Sequence, residues 1–196
     1  MKIKAAVLSV VLLIASAVLL SAQAPVKYEF RNIKASASSI GGSLESLKLI
    51  LSGSAHIETV DKATKTTFEA DASKITTTFF SAKIKAQGLG AVKNATMQGR
   101  VKLVYVTVDA SGNPVKTTAT ADKATYDGAD RLAHLTGNVK IVSENPAVFA
   151  EPAVMTGDTA VVNLKPNLGP DEMRFRVESS PGQSTIEVTP AAKPKK

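Results

Sequence analysis

The chain of 196 residues holds two histidines and no cysteine. Thiolate metal sites, disulfides and cysteine nucleophiles are therefore excluded. His56 and His134 each fall on the polar parity of an alternating segment, among small and aliphatic neighbours. That is the pattern of a solvated strand residue, and a zinc site needs more ligands at suitable spacing. The acids that recur, Asp71, Asp122 and Asp158, sit beside alanine or glycine, where a carboxylate that bonds nearby backbone N–H groups fixes a strand corner. Asp127 and Asp130 flank a turn. No glycine-rich loop opens a helix, so no phosphate cradle is indicated. No catalytic residue, cofactor site or metal site emerges, and the expectation is a non-enzymatic protein that binds or carries something.

The elements that would position these residues are strands. Leu47, Leu49, Leu51, Gly53, Ala55 and Ile57 alternate with Lys48, Ser52, Ser54, His56 and Glu58. Leu135, Gly137, Val139 and Ile141 alternate with Thr136, Asn138 and Lys140. Met173, Phe175 and Val177 alternate with charged residues. This period of two argues for half-buried strands. Val101 to Val108 is apolar on both parities, which predicts cover on both sides. Turn chemistry marks hairpins at 109–114 and 126–130, where Gly or Asn can take positive φ. Asn145-Pro146, Glu151-Pro152 and Pro181-Gly182 are further breaks. Residues 40–43 read as a loop and Ser43 to Leu47 as a single helical turn.

The most informative feature is a repeat. Leu51-Ser52-Gly53-Ser54-Ala55-His56-Ile57 recurs as Met97-Gln98-Gly99-Arg100-Val101-Lys102-Leu103 and as Leu135-Thr136-Gly137-Asn138-Val139-Lys140-Ile141. Each is followed by a small-residue and Asp element, at 68–72, 120–127 and 155–160. The expectation is a series of strand pairs, with each repeat glycine facing inward to leave space for backbone or cargo.

The ends differ from the body. Met1-Lys2-Ile3-Lys4, an uncharged apolar run from Ala5 to Leu20 and the small residues Ala22 and Ala24 have the layout of a secretory signal. Residues 1–24 are read as a signal peptide or, uncleaved, a membrane anchor. Residues 25–190 are read as a single domain and 191–196 as a disordered basic tail. The net charge is +7, but Lys2, Lys4, Lys193, Lys195 and Lys196 supply most of it. The body is near neutral, with no basic stripe and interleaved aromatics, which argues against nucleic acid.

Ala121-Asp122-Lys123-Ala124-Thr125-Tyr126-Asp127, a short hairpin, and then Leu135-Thr136-Gly137-Asn138-Val139-Lys140-Ile141 resemble the OstA-like domain family of the lipopolysaccharide-transport system. The likeness is to its periplasmic bridge (LptA-like) branch or an anchored (LptC-like) relative. It is strongest over 120–165 and weaker over 45–178. The first repeat departs from it, with Ile75 near the expected tyrosine and no Gly-Asn-Val. The resemblance implies an all-β, antiparallel β-jellyroll, an open V of strand pairs, in the periplasm. It implies lipopolysaccharide or a similar acylated lipid held between two apolar faces. It also implies edge-to-edge strand pairing with other OstA-like domains of inner- and outer-membrane components, including head-to-tail pairing with further copies of itself. The groove residues would be Leu49, Leu51, Ala55, Ile57, Phe68, Val101, Leu103, Val139, Ile141, Phe149 and Phe175. Lys140, Arg174 and Arg176 would meet head-group phosphates at the rim. The alternative reading is an assembly module that recruits partners by edge-strand addition without lipid.

Overall fold

The computed structural model describes residues 25–191, except 44, 63, 82–85, 110, 167 and 169–170. The segments read as signal or anchor (1–24) and most of the tail read as disordered lie outside the described residues. Eleven antiparallel strands form one sheet: β1 (Val26–Phe30), β2 (Ile33–Ala37), β3 (Ser39–Ser43), β4 (Lys48–Asp61), β5 (Thr66–Phe79), β6 (Val92–Val108), β7 (Pro114–Asp127), β8 (Leu132–Glu144), β9 (Phe149–Asn163), β10 (Phe175–Glu178) and β11 (Thr185–Pro190). Their order is β1-β2-β4-β5-β6-β7-β8-β9-β10, with β3 also on β4 and β11 also on β9. The all-β expectation holds. The helical turn expected at 43–47 is absent: Ser39–Ser43, expected as a loop over 40–43, is a strand, Glu45–Leu47 is a turn, and among the described residues a 3₁₀ turn lies instead at Gly88–Ala91.

A line of β-bulges crosses the sheet. Gly53 and Ser54 of β4 stand against Ser73 of β5, between the pairs Ser52↔Lys74 and Ala55↔Ala72. Gly99 and Arg100 of β6 stand against Asp122 of β7. Gly137 and Asn138 of β8 stand against Asp158 of β9. In each case both bulged residues are left-handed, with φ of 75° and 46°, 76° and 50°, and 80° and 48°. Two residues against one bend a strand, so every long strand changes direction on the same line. The edges break there too: β2 ends and β3 begins across Ser38, whose N–H donates to Gly53 O at 2.8 Å, and β10 and β11 share the two halves of β9.

The repeat glycines therefore do a different job from the one expected. Gly53 is exposed and Gly99 and Gly137 are half-buried; none opens space inside. They are required by φ and by the side chain packed on each. A methyl at Gly53 would sit 2.7 Å from Ser38 Oγ and one at Gly99 2.7 Å from Ser73 Oγ, while one at Gly137 would run into Asp122 Oδ2. The true repeat partners are thus Ser38, Ser73, Asp122 and Asp158. Asp71 is two residues off the line, where it pairs with His56 of β4 at 2.7 Å.

Apolar residues stay on one side of the folded sheet throughout. On β5, Phe68, Ala70 and Ala72 are buried before the bulge and Ile75, Thr77 and Phe79 after it. The parity of burial shifts by one residue at Ser73 and Lys74, which absorbs the fold. The same shift occurs on β7 at Asp122 and Lys123. One continuous core results, from Ile33 on β2 to Val162 on β9. Val101 to Val108 is buried only on the parity of Val101, Leu103, Tyr105 and Thr107. Its other face is half-exposed, so the cover expected on both sides is not there. In the 126–130 turn the positive φ is carried by Arg131 (58°), just beyond the glycine. Pro152 lies inside β9, where the register with β11 shifts, rather than ending the strand.

The bulge line predicts an ordering of glycine variants. At Gly112, also left-handed (φ 84°) but in open space, alanine costs about 1–2 kcal/mol from the backbone alone. Gly137→Ala costs more, since its methyl must also displace Asp122 from its 2.8 Å hydrogen bond with Asn138 Nδ2. Urea denaturation of the two variants measures the difference.

Candidate functional site

Folding along the bulge line turns the sheet's apolar face in on itself. One half of each strand contributes Ile57, Phe68, Ala70, Leu103 and Tyr105. The other contributes Leu49, Ile75, Phe79, Met97 and Tyr126. The two halves meet across the interior, as the buried bond from Tyr105 Oη to Leu164 O (3.2 Å) demonstrates. At mid-interior the space left between them is an apolar cavity of about 30 Å³, lined in part by Ile57, Phe68, Ile75 and Met97. Pockets that bury a whole small ligand run to about 300–1,000 Å³, so the mid-interior is packed in this conformation.

The interior opens at its N-terminal end. Tyr28, Phe30, Ile40, Leu47, Leu49 and Phe79 line an apolar pocket of about 250 Å³. Phe30 packs edge-on against Phe79 with ring centres 5.2 Å apart, and Tyr28 lies 6.4 Å from Phe30. Leu49 and Phe79 belong to the buried core, and Tyr28, Phe30, Ile40 and Leu47 are half-buried against it. Leu47 holds a left-handed φ of 47°, a conformation that costs a branched apolar residue energy and that Asn or Gly takes more readily. Leucine there is explained by its place in the pocket wall.

The residues assigned from the sequence separate into groups. Leu49, Leu51, Ala55, Ile57, Phe68, Val101, Leu103, Val139 and Ile141 are all buried and face the interior. Only Leu49 reaches the open pocket; Ile57 and Phe68 line the small cavity. Phe175 packs half-buried against the core, whereas Phe149, half-buried opposite Pro190, lies outside it. Lys140 is exposed between Val139 and Ile141, on the outer face. Arg176 is exposed and pairs with Glu178 at 2.9 Å. Arg174 turns inward: it bonds Asn163 O and Lys165 O, both at 2.6 Å, and lies 5.4 Å from the centre of the Tyr105 ring. Burial lowers its pKa below the ordinary arginine value. His134 is exposed and His56 is committed to Asp71. Among the described residues no cluster of three or more His, Cys, Asp or Glu has metal-site geometry. No helix among them is long and apolar enough to cross a membrane.

Sequence reasoning missed the open pocket. Tyr28, Phe30 and Ile40 stand on short edge strands, and the alternation of Tyr28 with Phe30 was the signal available. It also missed two buried hydroxyls at the cavity, Thr59 Oγ1 and Tyr126 Oη, which have no hydrogen-bond partner among the described residues.

No family model matches the sequence, and no curated protein matches it. Among solved structures the fold is similar to that of LptH from Pseudomonas aeruginosa, the LptA-homologous periplasmic component of the lipopolysaccharide transport device. The likeness has a TM-score of 0.52 at 11% identity, over 80% of this chain and 93% of that one. The fold is the LptA-like β-jellyroll.

Tyr126 supplies a prediction. Burial, the largest cause, pushes its pKa up to about 12. Between the ordinary tyrosine value of about 10 and about 12 the folded state holds a proton that the unfolded state releases. This contribution is complete below pH 10 and is lost as pH rises towards 12. Tyr126→Phe removes it together with an unpaired hydroxyl. The variant is expected to be as stable as the parent or more so at neutral pH, and to lose stability less steeply above pH 10 in alkaline denaturation.

Proposed function

We propose that this chain is a periplasmic lipid carrier and bridge that holds acyl chains of lipopolysaccharide, or of a similarly acylated lipid, and passes them towards the outer membrane. The observation that carries the reading is the apolar end pocket, continuous with a core that runs the length of the folded sheet. An acyl chain asks for a dry, elongated, aliphatic environment. Each methylene transferred into one contributes about 0.8 kcal/mol, so affinity needs no charged contact. The wall of the pocket is aromatic and aliphatic.

The bridge part of the proposal rests on the edges. At the N-terminal end β1 and β3 are edge strands; at the C-terminal end they are β10 and β11. Every residue of β11 is exposed, including Ile186 and Val188. Such edges pair with other strands, and pairing one end with the opposite end of the next domain makes a head-to-tail series with no closed symmetry. The partners are further copies of this chain and related jellyroll domains at the two membranes. The packed mid-interior favours a second reading, an assembly module whose edges work without cargo.

Native mass spectrometry of the protein purified from cells that make lipopolysaccharide separates the two. The carrier reading expects a co-purified acylated lipid. It also expects Leu47→Asn to deplete that lipid with little change in melting temperature, because Asn suits the left-handed backbone. Lipid-free protein from such cells, or equal lipid in the variant, would contradict it.

A further inference from the structure

If acyl chains enter at the end pocket, the packed mid-interior must widen to receive them, and the two halves of the sheet must part. Apart from the shared core and the Tyr105–Leu164 bond, the polar contacts that hold them together at the N-terminal end converge on one residue. β1 and β2 are joined by Arg31 and Asn32, both left-handed, with φ of 51° and 61°. This is the two-residue hairpin turn that Asn-Gly usually fills. Arginine at its first position costs backbone energy, so its side chain needs a reason to be there.

That side chain has three attachments. Its guanidinium lies 4.9 Å from the centre of the Phe30 ring, in the wall of the end pocket. Its Nη1 donates to Phe80 O at 3.2 Å and its Nη2 to Ser81 O at 3.3 Å, across the open side, just beyond the end of β5. Its own carbonyl accepts from the Gly88 N–H at 2.8 Å, which fixes the 3₁₀ turn. That turn closes the open side over the cavity. Leu89 packs on the core, and a methyl at Gly88 would sit 2.6 Å from Thr59 Oγ1.

The connection that carries the turn is unusual for this molecule. The other hairpins along β4 to β9 turn at 62–65, 109–113, 128–131 and 145–148, whereas β5 and β6 are joined by all of 80–91. A hairpin needs only two to five residues. The excess brings Gly88 from the far half of the sheet to Thr59 and Arg31 on the near half. Thr59 Oγ1 is buried directly beneath it without a partner among the described residues, so no hydrogen bond described there explains the closure.

We propose that Arg31 is a latch: an acyl chain in the end pocket displaces Phe30, and the release of Arg31 from Phe80, Ser81 and the Gly88–Ala91 turn lets the halves of the sheet part and admit the chain to the interior. The inference rests on the carrier reading and adds its gate. Arg31 touches the pocket wall on one side and the closure on the other, so occupancy of the first biases the second. The gate selects for a cargo long enough to reach past Phe30. A short amphiphile would fill the end pocket and leave the interior shut.

The absence of cysteine makes the test clean. A methyl at Gly88 would lie 3.8 Å from Thr59 Cβ, and disulfides have Cβ atoms about 3.8 Å apart. The double variant Thr59→Cys with Gly88→Cys can therefore staple the closure under oxidation and free it under reduction. The probe is a palmitate analogue bearing a diazirine, with adducts mapped by peptide mass spectrometry. Circular dichroism confirms that both redox forms are folded. The latch expects adducts at Phe30 and Leu47 in both forms, and adducts at Met97, Ile141 and Met155 only in the reduced one. Equal interior labelling in both forms overturns the gate and leaves the carrier reading intact. No adduct at either place in the reduced form overturns the carrier reading itself. Arg31→Asn, which keeps a turn residue suited to left-handed backbone, provides an independent measure. It should speed interior labelling without loss at the end pocket, Arg31→Lys should fall between it and the parent, and an unchanged rate for Arg31→Asn sinks the latch.

Discussion

The two-against-one bulge, repeated on β4, β6 and β8, is the constraint on which this structure depends. A flat sheet of strands this long, apolar on one face, would have nothing to bury that face against. Bending every strand on one line lets the sheet cover itself. The bend needs a left-handed pair on one strand and a short polar side chain, Ser38, Ser73, Asp122 or Asp158, seated at that line on its neighbour. Glycine opens each pair because φ and a close side chain both exclude a Cβ. The residue after it, Ser54, Arg100 or Asn138, bears the left-handed cost on an exposed surface. Burial of the core repays it: a Leu or Ile inside is worth about 1.5–3 kcal/mol.

A sheet folded in this way is held differently along its two margins. The bend is continuous backbone with ladder hydrogen bonds. The opposite margin is fastened by single contacts: Arg31 to Phe80 and Ser81, Gly88 to Arg31, Tyr105 to Leu164. Such bonds contribute about 0.5–1.5 kcal/mol each, far less than the strand ladders. Backbone ladders hold the bend, whereas the mouth is held by the apolar packing of the shared core and a few hydrogen bonds. A protein that must admit a long apolar cargo and release it again needs that asymmetry, and a purely structural module does not.

The sequence revealed much of this and misread one part of it. Strand alternation located β4, β8 and β10, and the glycine repeat located the line of folding. Its mechanism was misjudged because period-two parity places Gly53 on the face of Leu51 and Ala55; a bulge changes the direction of the residue within it while preserving parity on either side. The same blindness paired Asp71 with Asp122, since an alignment on Ala-Asp cannot know that Ser73 fills the equivalent place. Inward residues such as Leu103 and Ile141 were legible from alternation alone. Tyr28 and Phe30 were not, because their role depends on edge strands that diverge in space; Leu47 stood on the apolar parity, but its place in a pocket wall depends on those same strands. Arg31 and Gly88 are far apart in sequence and meet only through the fold, and no local pattern announces that.

If the halves of the sheet part around cargo, the rims of the mouth move apart when lipid binds. With no native cysteine, spin labels can be placed at Lys62 and Asp130, exposed turn residues on opposite rims of the mouth. Pulsed dipolar spectroscopy then reads the distance between them with and without lipopolysaccharide. Parting of the halves gives a longer, broader distance distribution in the lipid-bound protein. An unchanged distribution in protein shown to carry lipid would contradict it.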